Sequence, residues 1–440
     1  MSAKKLPIYF TLFNVDEKRA GFTDILTKWS TLYKLGTSLK YQYIHQPLIG
    51  KNSTKIYDFL GFNICFSQQI DNFLELNNSY KQKAYIFMGF DYSLLSKYSY
   101  TPRTLLGKIK KFFVENLFFN KIRLVDIPIN EAFLKTYNIS ELNDLQNHVK
   151  EIVNKQALKT NRIILVRFKL AGARKEFYQL INSQISYFPD QLDLRSGYFN
   201  AINQEPRKSK FLDNKIKLLV HVRQGDTAFI ETPWDTFIAV YGKNSFTELN
   251  DPSQGGYADF MDVDEYYNFV KKFIEYFDED QFSMVVSSDG YKKPFSLIYK
   301  NIDKFNFNSE QVNKLKETEK LYDKKFNIFN NFKNINCLIG ETDKNLYDLI
   351  NSTFEADIII IGFRNTLGML VKILANYYDL DNPPVIIELY KKRKPYAHDL
   401  LLGLNSRKAK VIPIKLDDFN WVDLIAQVKQ SIGIKLSNLS

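Results

Sequence analysis

Cysteine and histidine are scarce in this chain, with two of the first and four of the second among 440 residues. Cys65 and Cys337 stand far apart with no CxxC partner, so neither a disulfide framework nor a thiolate zinc site is suggested; a reducing compartment, the cytoplasm, fits best. His45, His148, His221 and His398 offer few members for a multi-histidine metal centre. No stretch approaches the roughly 18 to 20 apolar residues of a membrane span. The apolar run after Met1-Ser2-Ala3-Lys4-Lys5 is too short and too soon broken for a signal peptide. A Walker-type phosphate loop, HExxH and the GxSxG elbow are also missing, and nothing points to the nucleophile of a Ser–His–Asp hydrolase. No repeat recurs at a fixed period.

What is present describes an ordinary globular protein. Hydrophobic residues at 45% and charged residues at 25% argue against global disorder, and the length suits two domains. The 36 Phe and 27 Tyr accompany abundant Asn, Lys and Ile, which reads as a compositional background rather than a base-stacking surface. A formal charge of +11 admits an anionic ligand, peripheral contact with an acidic membrane surface, or nucleic acid. The basic residues are dispersed. Their densest runs, Lys391-Lys392-Arg393-Lys394 and Arg407-Lys408-Ala409-Lys410, read as solvated loops, with an acceptor or membrane-surface patch as the alternative. Sequons such as Asn52-Ser53-Thr54 arise by chance in an Asn-rich chain and are read as unmodified.

Strand-like and helix-like runs alternate along nearly the whole chain, which predicts an α/β fold with parallel sheets. In the first half the strands are Pro7 to Phe13, Leu39 to Ile44, Ala84 to Phe90, Ile122 to Ile127 and Ile163 to Phe168. Helices are expected over Asp24 to Leu35, Thr104 to Glu115 and Glu131 to Lys159, the last breaking near Asn138. In the second half, strands at Lys217 to Val222, Phe282 to Ser287, Asp357 to Ile361, Val385 to Leu389 and Val411 to Ile414 alternate with helices. Those helices are Asp264 to Tyr276, Asn345 to Phe354, Leu367 to Tyr378 and Asp418 to Ile432. Ile358-Ile359-Ile360-Ile361 has no polar alternation, as in a strand buried on both faces. The polar stretch Asn301 to Asn336 is left without an assigned element. The Pro-interrupted segment Asn203 to Lys210 sets the boundary, giving domains 1–205 and 206–440.

The most informative stretch is His221-Val222-Arg223-Gln224-Gly225-Asp226, directly after Leu218-Leu219-Val220. A strand ending there places Arg223 at the C-terminal edge of a sheet, where open α/β sheets bind ligands. Its planar, permanently charged fork matches two oxygens of a diphosphate. Gly225 allows the turn, and Asp226 braces it or orients the arginine; a structural Arg–Asp pair at a surface turn is the plain alternative. Ser287-Ser288-Asp289-Gly290 supplies hydroxyls and a carboxylate suited to a base or ribose, and Gly362-Phe363-Arg364-Asn365-Thr366 opens a helix whose free amides suit phosphate. With right-handed crossovers these three loops converge on one sheet edge. Gly21-Phe22-Thr23-Asp24 is a weaker candidate of the same type. Asp262-Val263-Asp264 matches a metal-binding DxD pattern, but its place before Glu265-Tyr266-Tyr267 favours a helix cap, with Asp264 as the capping residue.

The stretch His221 to Asp226 resembles the HxRxGD motif of the GDP-fucose-dependent fucosyltransferases that form α1,2, α1,6 and protein O-linkages. Gly21 to Asp24, followed by Leu26, Trp29 and Leu35-Gly36, is similar to the first βα loop and helix of bacterial chitooligosaccharide fucosyltransferases. Glu265-Tyr266-Tyr267, Ser287-Ser288-Asp289 and Gly362 to Thr366 resemble later segments in the same order; only the HxRxGD segment is individually specific. The resemblance implies a GT-B fold: two facing Rossmann-like α/β domains, an N-terminal one on the acceptor side and a C-terminal one binding the nucleotide sugar. It also implies GDP-fucose as donor, a glycan acceptor, inversion at the sugar C1 and no metal in the chemistry. Arg223 would hold the β-phosphate and stabilise departing GDP. His221 and Asp289 would contact the nucleoside, and Asn365 and Thr366 the phosphate.

Two departures bear on that reading. The family's acidic doublet is here Ser288-Asp289-Gly290, with one carboxylate, and its serine-rich phosphate loop is Arg364-Asn365-Thr366. Ala20 precedes Gly21 where relatives carry a candidate base, which leaves Asp16, Glu17 and Asp24 as candidates for the group that deprotonates the acceptor. The expectation is an inverting, metal-independent fucosyltransferase. The same fold with another nucleotide sugar, a relative that has lost activity, and a non-catalytic basic protein binding nucleic acid or acidic glycan are the alternatives. The last has no recognised nucleic-acid motif behind it.

Overall fold

A computed structural model of the chain describes residues 7–13, 31–44, 122–170, 180–181, 208–224, 227–241, 245–251, 261–340, 342–362, 384–391 and 410–436. The chain divides into two compact units, Met1–Pro206 with Ala397–Asn405 and Arg207–Tyr396 with Ser406–Ser440. Both are α/β; the four-stranded sheet of the first and the six-stranded sheet of the second run parallel throughout.

In unit 1, strands β1 (Ile8–Phe13), β2 (Gln42–Tyr43), β3 (Ile122–Ile129) and β4 (Ile163–Leu170) form a sheet of order β2-β1-β4-β3. The helical stretch expected to follow β3 is two helices, α1 (Glu131–Thr136) and α2 (Leu142–Ala157). The chain breaks between them as anticipated, with Asn138 at φ 49°, a left-handed conformation asparagine tolerates better than most residues. Helix α2 buries Leu142, Leu145, Val149 and Val153, one stripe at helical spacing. Residues 31–38 are helical and pack Tyr33 against Phe10 of β1. Lys34 of this helix is fully buried, and desolvation lowers its pKa to about 7. The buried Arg167 of β4 donates from Nε to Asp126 of the adjoining β3 at 2.6 Å. The expected strand at 84–90 and the helices at 104–115 and 367–378 lie outside the described residues.

Unit 2 contains six parallel strands: β5 (Ile216–His221), β9 (Phe282–Ser288), β10 (Ile335–Ile339), β11 (Ile358–Gly362), β12 (Val385–Tyr390) and β13 (Lys410–Lys415). Their order is β10-β9-β5-β11-β12-β13, which in chain order reads 3-2-1-4-5-6, the arrangement of doubly wound dinucleotide-binding folds. Strand β11 is buried along its whole length because helices cover both faces of the sheet. Helices α3 (Val263–Glu275), α4 (Lys292–Lys300), α5 (Ser309–Lys325) and α7 (Trp421–Leu436) share one core with Leu218, Val220, Val286 and Ile360. Helix α6 (Asp343–Glu355) packs on β5, β9 and β10 from the other side.

Between β5 and α3 the chain inserts an antiparallel sheet of β6 (Thr227–Glu231), β7 (Phe237–Tyr241) and β8 (Ser245–Leu249). This insertion was not expected from the sequence. Helix α5 likewise occupies the polar stretch left unassigned, and strand β10 begins at the end of that stretch. Helix α5 buries only Leu315, Thr318 and Tyr322, a stripe thin enough to be lost among charges, and β10 lies at the edge of the sheet with much of its surface exposed.

Candidate functional site

The reversal of strand order in unit 2 falls between β5 and β11, which leave the sheet in opposite directions of winding. At such a point the loops after adjacent strands diverge to opposite faces and open a crevice at their carboxyl ends. Parallel pairing brings the ends of β9, β5 and β11 side by side: His221 pairs with Ser287 on one flank and with Ile361 on the other. Arg223 therefore emerges two residues beyond β5 at this edge, with Ser288 ending one neighbour, Asp289 just beyond it, and Gly362 ending the other.

His221 lies on the sheet face opposite Val220, its Nδ1 in hydrogen-bond contact with Ser287 Oγ at 2.8 Å. Burial first, and the Arg223 charge second, hold its pKa down to about 3, so the imidazole is neutral at physiological pH. Any cationic character at the end of β5 accordingly resides on Arg223, which is half-buried.

Tyr266 of α3 lies beneath this edge. It is 2% exposed, and its hydroxyl lies near the Arg223 backbone. Burial raises its pKa, against the pull of Arg223, so the phenol stays protonated. The same hydroxyl sits against Gly362: a Cβ there would come within 1.8 Å of Tyr266 Oη. Glycine at the end of β11 is thus demanded by a side chain from α3, and Tyr266 is in contact with the ends of both strands that flank the reversal. Tyr266 was legible only as part of a helix following the arginine motif.

The start of α3 is fixed by Asp262, which corrects the expected cap. Asp262, not Asp264, is the N-cap residue, in a reciprocal capping box with Glu265; the Asp262 N–H donates to Glu265 Oε2 at 2.9 Å. Asp264 falls within the first turn. The Asp262 carboxylate also accepts from Tyr291 Oη at 2.9 Å and from Lys325 Nζ at 2.6 Å. These bonds tie the Ser288–Tyr291 loop to α3, and Gly290 turns that loop at φ +72°, a conformation L side chains rarely adopt. Ser288 Oγ accepts from the Gly290 N–H at 3.1 Å. Glu265 pairs with Lys391, which lies one residue beyond β12 and opens a basic run that continues outside the described residues.

Of the residues singled out in the sequence, the structure places His221, Arg223, Ser288 and Asp289 at one edge of one sheet. Asp16, Glu17, Gly21, Phe22, Asp24, Gly225, Asp226, Arg364, Asn365 and Thr366 lie outside the described residues. Among the described residues no group of three or more His, Cys, Asp and Glu is arranged to hold a metal ion, and no helix is long and apolar enough to cross a membrane. The protein is thus an α/β protein built on parallel sheets, and its second unit follows the strand order of nucleotide-binding folds. No family model and no curated protein sequence matches the chain.

Proposed function

We propose that the protein is an inverting glycosyltransferase of GT-B architecture that transfers fucose from GDP-fucose to a glycan hydroxyl, with the donor held by unit 2. The observation that carries this reading is the position of Arg223, two residues past the first strand of a 3-2-1-4-5-6 sheet and beside its reversal point. A diphosphate in that crevice meets a permanent cation, and with His221 neutral the guanidinium is the natural partner of the β-phosphate. Asp289 on the neighbouring loop suits a ribose or base.

In the reaction, the acceptor oxygen forms a bond to C1 of the sugar as the bond from C1 to the β-phosphate oxygen breaks in line with it. The electron pair departs with GDP, whose growing charge Arg223 neutralises. The acceptor proton passes to a carboxylate, for which Asp16, Glu17 and Asp24 are the candidates. Transfer of labelled fucose from GDP-fucose to a panel of oligosaccharides, in chelator, tests the assignment. The expected result is a fucosylated product with the wild-type protein and none with Arg223→Ala. Transfer from a different nucleotide sugar in place of GDP-fucose would overturn the donor, and an active Arg223→Ala protein would overturn the role of the arginine.

A further inference from the structure

Gln224 follows Arg223 at the same sheet edge and is 2% exposed. Its Nε2 donates to the Met261 carbonyl at 3.4 Å, just before the cap of α3. A carbonyl only accepts, so this contact sets the orientation of the amide: the NH2 group faces Met261 and Oε1 is turned away from it. Among the described residues, Gln224 Oε1 is a buried atom with no hydrogen-bond partner. The contact ties Gln224 to a residue at the reversal point, since Met261 Sδ lies 3.6 Å from the position a Cβ on Gly362 would take. Buried carbonyl oxygens are nearly always paired, and one that is not destabilises the free protein until a donor reaches it.

We infer that Gln224 Oε1 is a specificity-determining acceptor, waiting for a hydrogen-bond donor on the ligand that Arg223 binds. The inference rests on the nucleotide-sugar reading for the nature of that ligand. Phosphate oxygens are acceptors and cannot fill the role. The complementary group is an N–H of the base or a hydroxyl of the transferred sugar, carried on the same donor molecule. A ligand lacking that group would leave the amide oxygen buried and unpaired in the complex, which is how such sites discriminate.

The test replaces Gln224 by Met, which keeps the length and removes both polar atoms. Two quantities are measured: the urea midpoint of the nucleotide-free protein, and calorimetric affinity for GDP, inosine diphosphate and GDP-fucose. The inference predicts that Gln224→Met is at least as stable as the wild type yet binds about tenfold more weakly, about 1.4 kcal/mol. A loss shared by GDP and GDP-fucose, with inosine diphosphate already weak on the wild type, assigns the donor to the guanine amino group. A loss confined to GDP-fucose assigns it to the sugar. A less stable Gln224→Met protein shows that the side chain serves the fold through Met261 and overturns the inference, as does unchanged affinity for every ligand. Should the wild type bind none of the three, the nucleotide reading fails on its own. The stability comparison then still decides whether Gln224 is an unsatisfied acceptor or a structural tether.

Discussion

Acid should destabilise unit 2 through one side chain. His221 is buried against Ser287, and burial pushes its pKa down to about 3, whereas an unfolded histidine titrates near 6.5. Between these values the unfolded chain holds a proton that the native protein refuses, so stability falls as pH drops through 6.5 and continues to fall to about 3. Each pH unit in the middle of that window is worth about 1.36 kcal/mol, and integrating from pH 6.0 to pH 4.5 gives a loss of about 2 kcal/mol from His221 alone. Carboxylates also titrate as the pH falls, so the comparison must be made against a variant. His221→Asn keeps an amide near the position of Nδ1 but cannot ionise. Urea unfolding followed by tryptophan fluorescence, to which unit 2 contributes Trp234 and Trp421, measures both proteins at both pH values. The wild type should lose about 2 kcal/mol more than His221→Asn over this interval. Equal losses would refute a buried neutral histidine and return the imidazolium to the list of possible phosphate ligands.

Two further substitutions probe the packing. Gly362→Ala drives a methyl group into Tyr266 Oη at 1.8 Å and should destabilise unit 2 by roughly 1–3 kcal/mol by urea denaturation. Tyr266→Phe in the same chain should recover only part of this, since the ring carbon behind the hydroxyl would still lie 2.9 Å from the new methyl. In unit 1, Lys34 has its pKa lowered to about 7 by burial, while the unfolded lysine stays charged to about 10.5. The unfolded state then binds more protons between these values, so unit 1 should gain about 2 kcal/mol from pH 7 to pH 9. Lys34→Met should abolish that gain in urea unfolding followed by proteolytic susceptibility of unit 1.

Most strands could be read from composition because parallel strands covered on both faces have little choice of residue. Ile358 to Ile361 and Lys217 to Val222 are such cases. The break near Asn138 was legible for a similarly local reason, since asparagine accepts the left-handed turn. Elements whose burial is thin escaped. Helix α5 carries three buried residues among seventeen, and β10 is an edge strand whose Asn336 and Cys337 face out. The three-stranded insertion was missed although the Thr232 to Thr236 turn, with Asp235 at φ 58°, joins two β-rich runs. At the site, the position of Arg223 followed from strand and turn chemistry alone. Contacts that depend on a distant element did not: Tyr266 beneath Gly362, Met261 against Gln224, and Lys325 on Asp262 each join residues brought together only by the sheet and its helices. The capping aspartate was misplaced by two residues because Asp262 and Asp264 carry the same local signal. The Glu265 side chain, reaching back three residues, is what selects Asp262.

Calorimetry of GDP binding without divalent metal asks whether Arg223 holds a nucleoside diphosphate at the reversal of the unit 2 sheet. UDP, ADP and the Arg223→Ala variant serve as controls. GDP is expected to bind selectively, and Arg223→Ala to lose that binding while unfolding at the wild-type urea concentration. No binding, or equal binding of all three nucleotides, would contradict it.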